Sequence, residues 1–544
     1  MSFLGNRIFS MAVIVVVLYL NGCGGPEVNQ VESGNRDQIL HLGNGTEPQG
    51  LDPHIVTGVP EHHIITALFE GLVLKNPYTL EVEPGVAERW EISEDGRTYT
   101  FYLREAAVWS NGDPVTAEDF RWSWMRALTP ELGSLYNYMY FPIVNAEAFA
   151  NGEIDSFDQV GVKVLDDRTL QVQLYEPTPY LLQLFDHYST FPVHRANIEA
   201  FGSISDRLSQ WAREGNMVSN GAFELTEWKI NSHVRVERRA SYWDAENVEL
   251  NGIVFYPTEN ITTEERMFRD HMLHKTNDVP LDKIPLYRAE KPELIELAPY
   301  LGTYFYAFNI TKPPFDDVRI RRALGMTIDR ELLIDTVLQG INTAAYGITP
   351  PGTLGYSPPK LFGFDPELAR QLLAEAGYPD GDGFPPFEIL YNTSEAHQKI
   401  AVAIQQMWQQ HLNIKVTLTN QEWKVYLDTL NNMDFDVSRR AWIADYIDPN
   451  GFLDMFLTGG GNNRTGFSNE TYDRIIQEGA PKATDQKERY KLFAEAETIL
   501  INSMPVIPIY TYSIKHLKRE SVKGMPTNLM AYYNYKYVYL EAEE

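Results

Sequence analysis

The chain has 544 residues and carries 46 Lys and Arg against 74 Asp and Glu, a formal net charge of -28. This length is too great for one hydrophobic core and predicts two or three domains. The acidic balance argues against a nucleic-acid-binding protein, which needs clustered Lys and Arg to neutralise phosphates. Cys23 is the single cysteine, so an intrachain disulfide is excluded.

The first 22 residues have the pattern of an export signal. Arg7 precedes a short apolar run from Met11 to Leu20, which is shorter than the roughly 20 residues that span a bilayer as a helix. The signal ends in Leu20-Asn21-Gly22-Cys23, which resembles a bacterial lipobox, where cleavage leaves the cysteine to carry lipid. We expect Cys23 to be lipidated and to anchor the protein to the membrane. The polar run Gly24 to Asp37 predicts a flexible tether.

The folded body is predicted to begin near Ile39 with a small α+β unit. Glu61 to Leu74 has apolar residues at helical spacing, and Tyr99 to Leu103 alternates as a strand does. Thr116-Ala117-Glu118-Asp119 has the spacing of a capping box and opens an amphipathic helix. Val162 to Leu174 predicts a hairpin.

The predicted pattern of secondary structure changes in the second half of the chain. Trp211 to Tyr256 indicates strands and turns, whereas longer helices alternate with strands beyond Tyr300. A strand at Phe387 to Tyr391, a helical stripe from Ile400 to Leu412 and a strand at Ile414 to Leu418 follow one another. This order predicts a right-handed crossover within a parallel sheet.

The stretch from Arg439 to Phe456 is the predicted working centre. Phe435 to Ser438 alternates like a half-buried strand, so Trp442 and Asp445 are expected where that strand passes into a loop. Small ligands are usually bound at such strand ends. A carboxylate held among aromatic rings suits a cationic group such as an amine. The residues alone are also compatible with purely structural roles, in which Asp445 caps a turn and Trp442 packs in the core.

The sequence lacks the common motifs for catalysis, metal binding and phosphate binding. HExxH, GxSxG, GxxxxGK[ST], GxGxxG and paired-cysteine spacings are absent. In Glu61-His62-His63 the adjacent histidines on a helix point about 100° apart, so they cannot chelate from one face. Asp380 to Gly383 lacks the later ligands of a calcium loop and predicts a surface turn. We expect no metal and no cofactor. A catalytic set that assembles in space leaves no motif, so a hydrolase stays open here.

Seven stretches in order resemble one family, the peptide-binding members of extracellular solute-binding protein family 5, which serve ATP-driven importers. They are Leu51-Asp52-Pro53-His54, Gly58-Val59-Pro60-Glu61, Leu68-Phe69-Glu70-Gly71-Leu72, Trp109 to Gly112 with Pro114 to Phe120, Ser219 to Phe223, Tyr300 to Tyr304, and Trp442 to Pro449. The likeness covers nearly all of the mature chain. It extends to oligopeptide-binding proteins through Tyr391 to Ser394, Asn420 to Trp423 and Ala444 to Tyr446.

The resemblance implies an α/β fold of the periplasmic-binding-protein type, a two-lobed clamp of three domains (type II, cluster C). After the signal peptide (1–22) and tether (23–37), domain I would be discontinuous, with segments 38–69, 196–296 and 513–544. Domain II would be 70–195 and domain III 297–512. The textural changes near Trp211 and Tyr300 are compatible with these boundaries.

The resemblance also implies roles for individual residues. The family's Asp that matches Asp445 takes the α-ammonium of a peptide, and the tyrosine that matches Tyr136 contacts the same amine. Trp442 would form a wall of the groove. Arg439, Lys312 and His397 match basic positions that can meet a ligand carboxylate, and Val59, Ala441 and Ile443 complete the implied ligand contacts.

Two positions depart from the best-known oligopeptide binders. Thr57 stands where they have a Glu, and Leu430 stands where they have an Arg. Losing one acidic and one basic position predicts a less charged pocket and leaves the accepted peptides open.

The sequence therefore predicts a non-enzymatic, lipid-anchored monomer outside the cytoplasmic membrane that captures short peptides for an ABC permease. It binds no nucleic acid. The alternatives are another ligand of the same family, namely a muropeptide, a nickel chelate or an oligosaccharide, or a secreted peptide hydrolase.

Overall fold

A computed structural model describes residues 29–483 and 485–541. The export signal and Cys23 lie outside these residues, so their assignment stays a prediction. Among the described residues, no helix is both long enough and apolar enough to cross a membrane.

The strands, in chain order, are β1 (Ile39–Gly43), β2 (Val73–Lys75), β3 (Val82–Pro84), β4 (Ala87–Ile92), β5 (Thr98–Leu103), β6 (Val162–Asp166), β7 (Thr169–Gln173), β8 (Phe223–Lys229), β9 (His233–Arg238), β10 (Gly252–Tyr256), β11 (Ile295–Phe308), β12 (Thr343–Ala344), β13 (Phe387–Asn392), β14 (Val416–Gln421), β15 (Val437–Ile443), β16 (Val506–Leu517), β17 (Val522–Lys523) and β18 (Tyr539–Leu540).

The α-helices, in chain order, are α1 (Gln30–Asp37), α2 (Val59–Leu68), α3 (Ala117–Leu128), α4 (Ala146–Ala150), α5 (Leu181–Phe185), α6 (Arg195–Ala200), α7 (Ile261–Arg269), α8 (Ile284–Glu290), α9 (Val318–Met326), α10 (Arg330–Thr336), α11 (Pro366–Glu375), α12 (Glu395–Leu412), α13 (Trp423–Asn431), α14 (Asn450–Leu453), α15 (Glu470–Arg474) and α16 (Gln486–Ser503).

Three larger sheets organise these elements. Sheet I has the strand order β1-β10-β9-β8, sheet II the order β4-β5-β7-β6, and sheet III the order β12-β16-β11-β15-β13-β14. We call the part built on sheets I and II the first lobe and the part built on sheet III the second lobe. This mixed α/β arrangement is the two-lobed clamp that the sequence predicts.

Several local predictions are confirmed. Thr116 caps α3 in a capping box with Asp119, and β6 and β7 form the predicted hairpin. β13 and β14 run parallel, with Phe387 opposite Val416, and α12 lies between them in the chain. Each of these features depends on residues close together in the sequence.

The prediction of a flexible tether from Gly24 to Asp37 is wrong for its last eight residues. Residues from Gln30 to Asp37 form α1 instead of a flexible segment, with the Asn29 side chain accepting a hydrogen bond from the Glu32 amide as its N-cap. Val31 is buried and its amide donates to the carbonyl of His271. The folded body therefore begins before Ile39, because a capped helix has an apolar residue to dock.

Two element boundaries also differ from the sequence prediction. α2 ends at Leu68 rather than Leu74, since the Glu70 amide and carbonyl both pair with the side chain of Asn220. β15 continues to Ile443, so Trp442 lies inside the strand, where it pairs with Thr303 of β11. Asp445 does follow the end of the strand.

The lobes are closed on one another. A buried apolar cluster that includes Phe101 and Trp124 of the first lobe continues into Trp442, Tyr446 and Phe452 of the second. Burial of side chains from both lobes in one cluster stabilises the closed arrangement.

Candidate ligand-binding site

Asp445 lies at the junction of the lobes. Its Oδ1 is 3.3 Å from Nε2 of His187, and its side chain is only 11% exposed. His187 follows α5 of the first lobe, whereas Asp445 follows β15 of the second. The carboxylate that the sequence predicts as an amine receptor is therefore enclosed by both lobes.

The proton on His187 is placed by a neighbouring backbone group. The Ser189 amide donates to Nδ1 of His187 at 3.3 Å, and the Ser189 hydroxyl lies 2.8 Å from the same nitrogen. A backbone amide can only donate, so Nδ1 accepts and Nε2 carries the hydrogen. The N–H of His187 consequently faces Asp445 and can donate to its carboxylate.

Tyr136 and other phenols surround this carboxylate. The rings of Tyr136 and His187 are 4.6 Å apart. Burial, and then the charge of Asp445, raise the pKa of Tyr136 well above its usual value. The pKa of Tyr300 is raised by burial, then by Tyr512 and by Asp445. These phenols stay protonated and can hydrogen-bond a ligand without competing for its positive charge.

Trp442 is buried and stabilises the turn that follows β15. It is 7% exposed and its indole N–H donates to the carbonyl of Gly451 at 2.5 Å. Tyr446 packs against Gly451 and donates to Asp454 at 2.7 Å. These bonds fix the turn after β15, and with it the position of Asp445.

Arg439 is buried among tyrosines. Its guanidinium donates to Asn392 at 3.2 Å and to the Tyr512 hydroxyl at 2.5 Å, and it lies 4.7 Å from the centre of the Tyr304 ring. Its Nε has no hydrogen-bond partner, and it forms no ion pair with a carboxylate of the described residues. Arg439 thus has capacity left for a ligand anion.

His397 lies near Arg439, whereas Lys312 lies at the surface beside Asp434. The His397 ring is 5.6 Å from Tyr304, and burial followed by the charge of Arg439 lowers its pKa well below the usual value. Lys312 is 43% exposed and its ammonium lies 3.7 Å from Asp434. The structure brings two of the three predicted basic residues together.

The remaining predicted contacts lie on α2 and β15. Val59 begins α2 and is 39% exposed. Ala441 and Ile443 pair with Tyr304 and Gly302 of β11 on one side of β15. On the other side, β13 pairs only with Val437 and Ser438, so β15 from residue 439 onward has no further strand partner among the described residues. That edge can receive an extended chain.

Thr57 and Leu430, the two positions that differ from the best-known oligopeptide binders, have different surroundings. Leu430 is 2% exposed and packs with Leu390, Tyr426 and Phe435. Thr57 is half-buried, just before α2. Leu430 therefore serves a local core.

Sequence reasoning missed His187 and also two buried arginines, Arg440 and Arg464. His187 and Arg464 stand in no motif, and Arg440, although it lies in the stretch from Arg439 to Phe456, is singled out only by its contacts in the folded chain. The arginines also add positive charge that the prediction of a less charged pocket did not count.

No group of three or more metal-ligating side chains occurs among the described residues. Glu61 of the Glu61-His62-His63 run is fully buried and accepts from the Gln49 amide at 2.6 Å. The rings of His62 and His63 are 6.1 Å apart at an interplanar angle of 61°.

Residues 81–464 match the family model of the bacterial extracellular solute-binding proteins, family 5 Middle. The chain is 38% identical over 496 residues to the periplasmic oligopeptide-binding protein OppA of Escherichia coli, covering 90% of this chain and 89% of that protein.

Solved structures agree with this match. The Haemophilus influenzae OppA complex with RPPGFSPFR is 34% identical and has a TM-score of 0.87, covering 93% of this chain and 99% of that one. The Escherichia coli murein tripeptide-binding protein MppA is 36% identical, with a TM-score of 0.88 and coverage of 93% and 98%. The unliganded open form of MppA gives a TM-score of only 0.62, with coverage of 93% and 97%. The present structure is therefore unlike that open form.

Proposed function

The chain belongs to the bacterial extracellular solute-binding proteins of family 5, and we propose that it captures short peptides outside the cytoplasmic membrane and delivers them to an ABC permease. The observation that carries this proposal is the enclosed carboxylate of Asp445, which faces the N–H of His187 and the ring of Tyr136 at the junction of the lobes. A free peptide amine brought to this carboxylate forms a charge-assisted hydrogen bond shielded from water.

The edge of β15 supplies the second part of the proposal. Backbone groups from residue 439 onward can pair with an extended peptide as an added strand, which binds without reading side chains. Arg439 of β15 and His397 of α12 both lie beside the ring of Tyr304 and can meet a carboxylate of the peptide. Binding of both ends and the backbone needs no covalent chemistry, in keeping with a family of solute-binding proteins.

Closure of the lobes gives the affinity. The amine site takes Asp445 from one lobe and His187 from the other, so it is complete only when the lobes meet. Ligand burial favours closure, offset by the cost of ordering both partners. A monomer anchored through lipid on Cys23 suits this role, and replacement of Cys23 by Ser should release the protein from membranes.

The resemblance to MppA supports a murein peptide as a second candidate ligand. Such a ligand is also a peptide, so a binding panel should include it beside tri-alanine.

The test compares the wild type with Asp445→Asn by isothermal titration calorimetry, using tri-alanine and N-acetyl-tri-alanine. Loss of the carboxylate should weaken binding of tri-alanine by about tenfold or more. Acetylation should weaken binding to the wild type by a similar factor and to Asp445→Asn much less, because both changes remove the same ion pair. Asp158→Asn, with a side chain 83% exposed in the first lobe, is the control.

Near-wild-type affinity in Asp445→Asn, or tight binding of a ligand without an amine in preference to peptides, overturns the assignment. Mass spectrometry of the recovered tri-alanine separates receptor from hydrolase, since a receptor returns it intact.

A further inference from the structure

Two neighbouring arginines, Arg440 and Arg464, are buried without a carboxylate partner among the described residues. Arg440 is 4% exposed and Arg464 is 7% exposed. Within residues 29–483 and 485–541, neither guanidinium has an Asp or Glu oxygen within 4.0 Å. In the part of the chain that the structure describes, Nη1 of Arg440 and both Nε and Nη2 of Arg464 have no hydrogen-bond partner. Several charged donors are therefore enclosed and unused.

Other buried arginines in this chain make several hydrogen bonds to backbone carbonyls, although Nη2 of Arg330 also has no partner among the described residues. Arg321 donates to the carbonyls of Phe315, Ser503 and Met504. Arg330 donates to four backbone carbonyls. By contrast, Arg440 makes one side-chain hydrogen bond, to the Asn462 carbonyl, and no side-chain hydrogen bond of Arg464 is formed within the part of the chain that the structure describes. Hydrogen bonds to backbone carbonyls explain why Arg321 and Arg330 are buried. They do not explain the burial of Arg464.

Direct contacts lead from this pair to the amine site. Asn462, which accepts from Arg440, donates to the Leu135 carbonyl of the first lobe at 3.4 Å. The next residue is Tyr136, whose ring lies 4.6 Å from His187, and His187 faces Asp445 at 3.3 Å. A continuous series of contacts therefore connects Arg440 with Asp445 by way of Tyr136.

Electrostatics agree with this arrangement. Burial and then the charge of Arg464 lower the pKa of Arg440 to about 9. The pKa of Tyr136 is raised by burial and by the charge of Asp445 and lowered by the charge of Arg464. Its hydroxyl therefore interacts electrostatically with both charged groups. Closing the first lobe over two mutually repelling cations costs free energy unless an anion is enclosed with them.

We propose that Arg440 and Arg464 form an anion subsite that takes a carboxylate of the bound peptide close to its amino end. This inference rests on the proposed function and narrows its ligand class to short peptides with an amine and a nearby carboxylate. The carboxylate can come from an acidic side chain in the first residues or from the carboxyl terminus of a dipeptide. Both sources present the same planar oxygen pair to a guanidinium.

The first measurement separates these sources with the wild-type protein. Ala-Glu-Ala-amide and Ala-Gln-Ala-amide differ only in the side-chain charge, and Ala-Ala differs from Ala-Ala-amide only in the terminal charge. We expect at least one charged peptide to bind about tenfold more tightly than its neutral match. A preference in the first pair identifies a side-chain carboxylate, and one in the second pair identifies the terminus. Equal affinities within both pairs overturn the proposal.

The second measurement places the preference on these residues. Arg464→Gln and Arg440→Gln should each reduce the charged-to-neutral affinity ratio to about threefold or less, whereas Arg464→Lys, which keeps the charge, should retain most of it. Arg370→Gln is the control, because its guanidinium is 41% exposed and pairs with Glu367 on α11. Thermal melts verify that each variant is folded.

A preference that persists unchanged in Arg464→Gln and Arg440→Gln overturns the subsite while leaving the proposed function intact. Failure of the wild type to bind any peptide of the panel instead contradicts the proposed function. If the Gln variants do not fold, the proposal is still tested by the affinities of the wild type for the peptide pairs and by the charged-to-neutral affinity ratio of Arg464→Lys.

Discussion

Tyr180 of the first lobe and Tyr446 of the second stack across the cleft, with ring centroids 5.0 Å apart and planes inclined by 8°. Next to this stack, the Ile447 amide donates to Gln183 at 3.1 Å and the Asn450 amide group donates to the Tyr180 hydroxyl at 3.3 Å. The first lobe therefore holds the very turn that carries Asp445.

We expect Tyr180→Ala to weaken peptide binding by about three- to tenfold, mainly through faster dissociation, because the closed state loses a buried aromatic pair. Stopped-flow or surface-plasmon kinetics with tri-alanine would measure this. Tyr78→Ala removes a ring that is 64% exposed and serves as the control. An unchanged dissociation rate would show that the stack does not hold the lobes together.

His187 should act as a positioning residue for Asp445. Replacing it with Ala removes the N–H that faces the carboxylate, which we expect to weaken peptide binding by up to about tenfold. Gln at this position can donate from its amide and should recover part of the loss. The ratio of affinities for free and N-acetylated tri-alanine is the readout, since a general structural defect would weaken both peptides alike.

The ion pair between Asp448 and Arg489 is bidentate, with distances of 2.6 and 2.9 Å, and is largely buried. Arg489→Met leaves the Asp448 charge buried and alone, so we expect the free energy of unfolding to fall by about 3–5 kcal/mol. Denaturant unfolding measures the change.

The exposed pair of Arg370 with Glu367 gives the matched control, where Arg370→Met should cost no more than about 1 kcal/mol. Combining Arg489→Met with Asp448→Asn should recover much of the lost stability. An equal effect of the two Arg→Met changes would contradict this assignment.

Asp454 should make stability depend on pH. Burial raises its pKa to about 8, assisted by the charges of Asp445 and Asp448 and opposed by the hydrogen bond from Tyr446. Between its usual pKa near 3.8 and about 8, the folded protein keeps a proton that the unfolded chain releases. This group therefore lowers the free energy of unfolding as pH rises through that window, by about 1.4 kcal/mol per unit.

Asp454→Asn removes this dependence, so the stability of the variant relative to the wild type should increase steadily from pH 5 to pH 8. Urea unfolding at each pH measures the difference, which cancels contributions from other buried carboxyls such as Glu264. A difference that does not change with pH would show that the carboxyl of Asp454 titrates normally.

Arg439→Gln and Lys312→Gln should differ in their effect on the binding of tri-alanine. Arg439→Gln removes an enclosed guanidinium beside the β15 edge, and we expect about tenfold weaker binding of tri-alanine. Lys312→Gln should change tri-alanine binding less than twofold, because its ammonium is exposed and near Asp434. A larger loss in Lys312→Gln than in Arg439→Gln would reverse this order.

The sequence by itself determined the features that depend on near neighbours. The capping box of α3, the β6–β7 hairpin and the β13–α12–β14 crossover all follow from local spacing. The residues around Asp445 were compatible with an amine receptor but also with a capping Asp, and the resemblance to the family favoured the receptor, which stays a prediction. Local hydrogen bonding and hydrophobic periodicity act within a few residues, so they can be recognised without the fold.

Only the tertiary structure decided which groups share the cleft. His187 meets Asp445, and Arg464 approaches Tyr136, from segments far apart in the chain. The free edge of β15 exists because β13 pairs with its first two residues alone. Lys312 and Arg439 are equally basic in the sequence, yet one is exposed and the other enclosed. Burial, closure of the lobes and the absence of a nearby carboxylate are properties of the packed chain, and they decide which charges remain for a ligand.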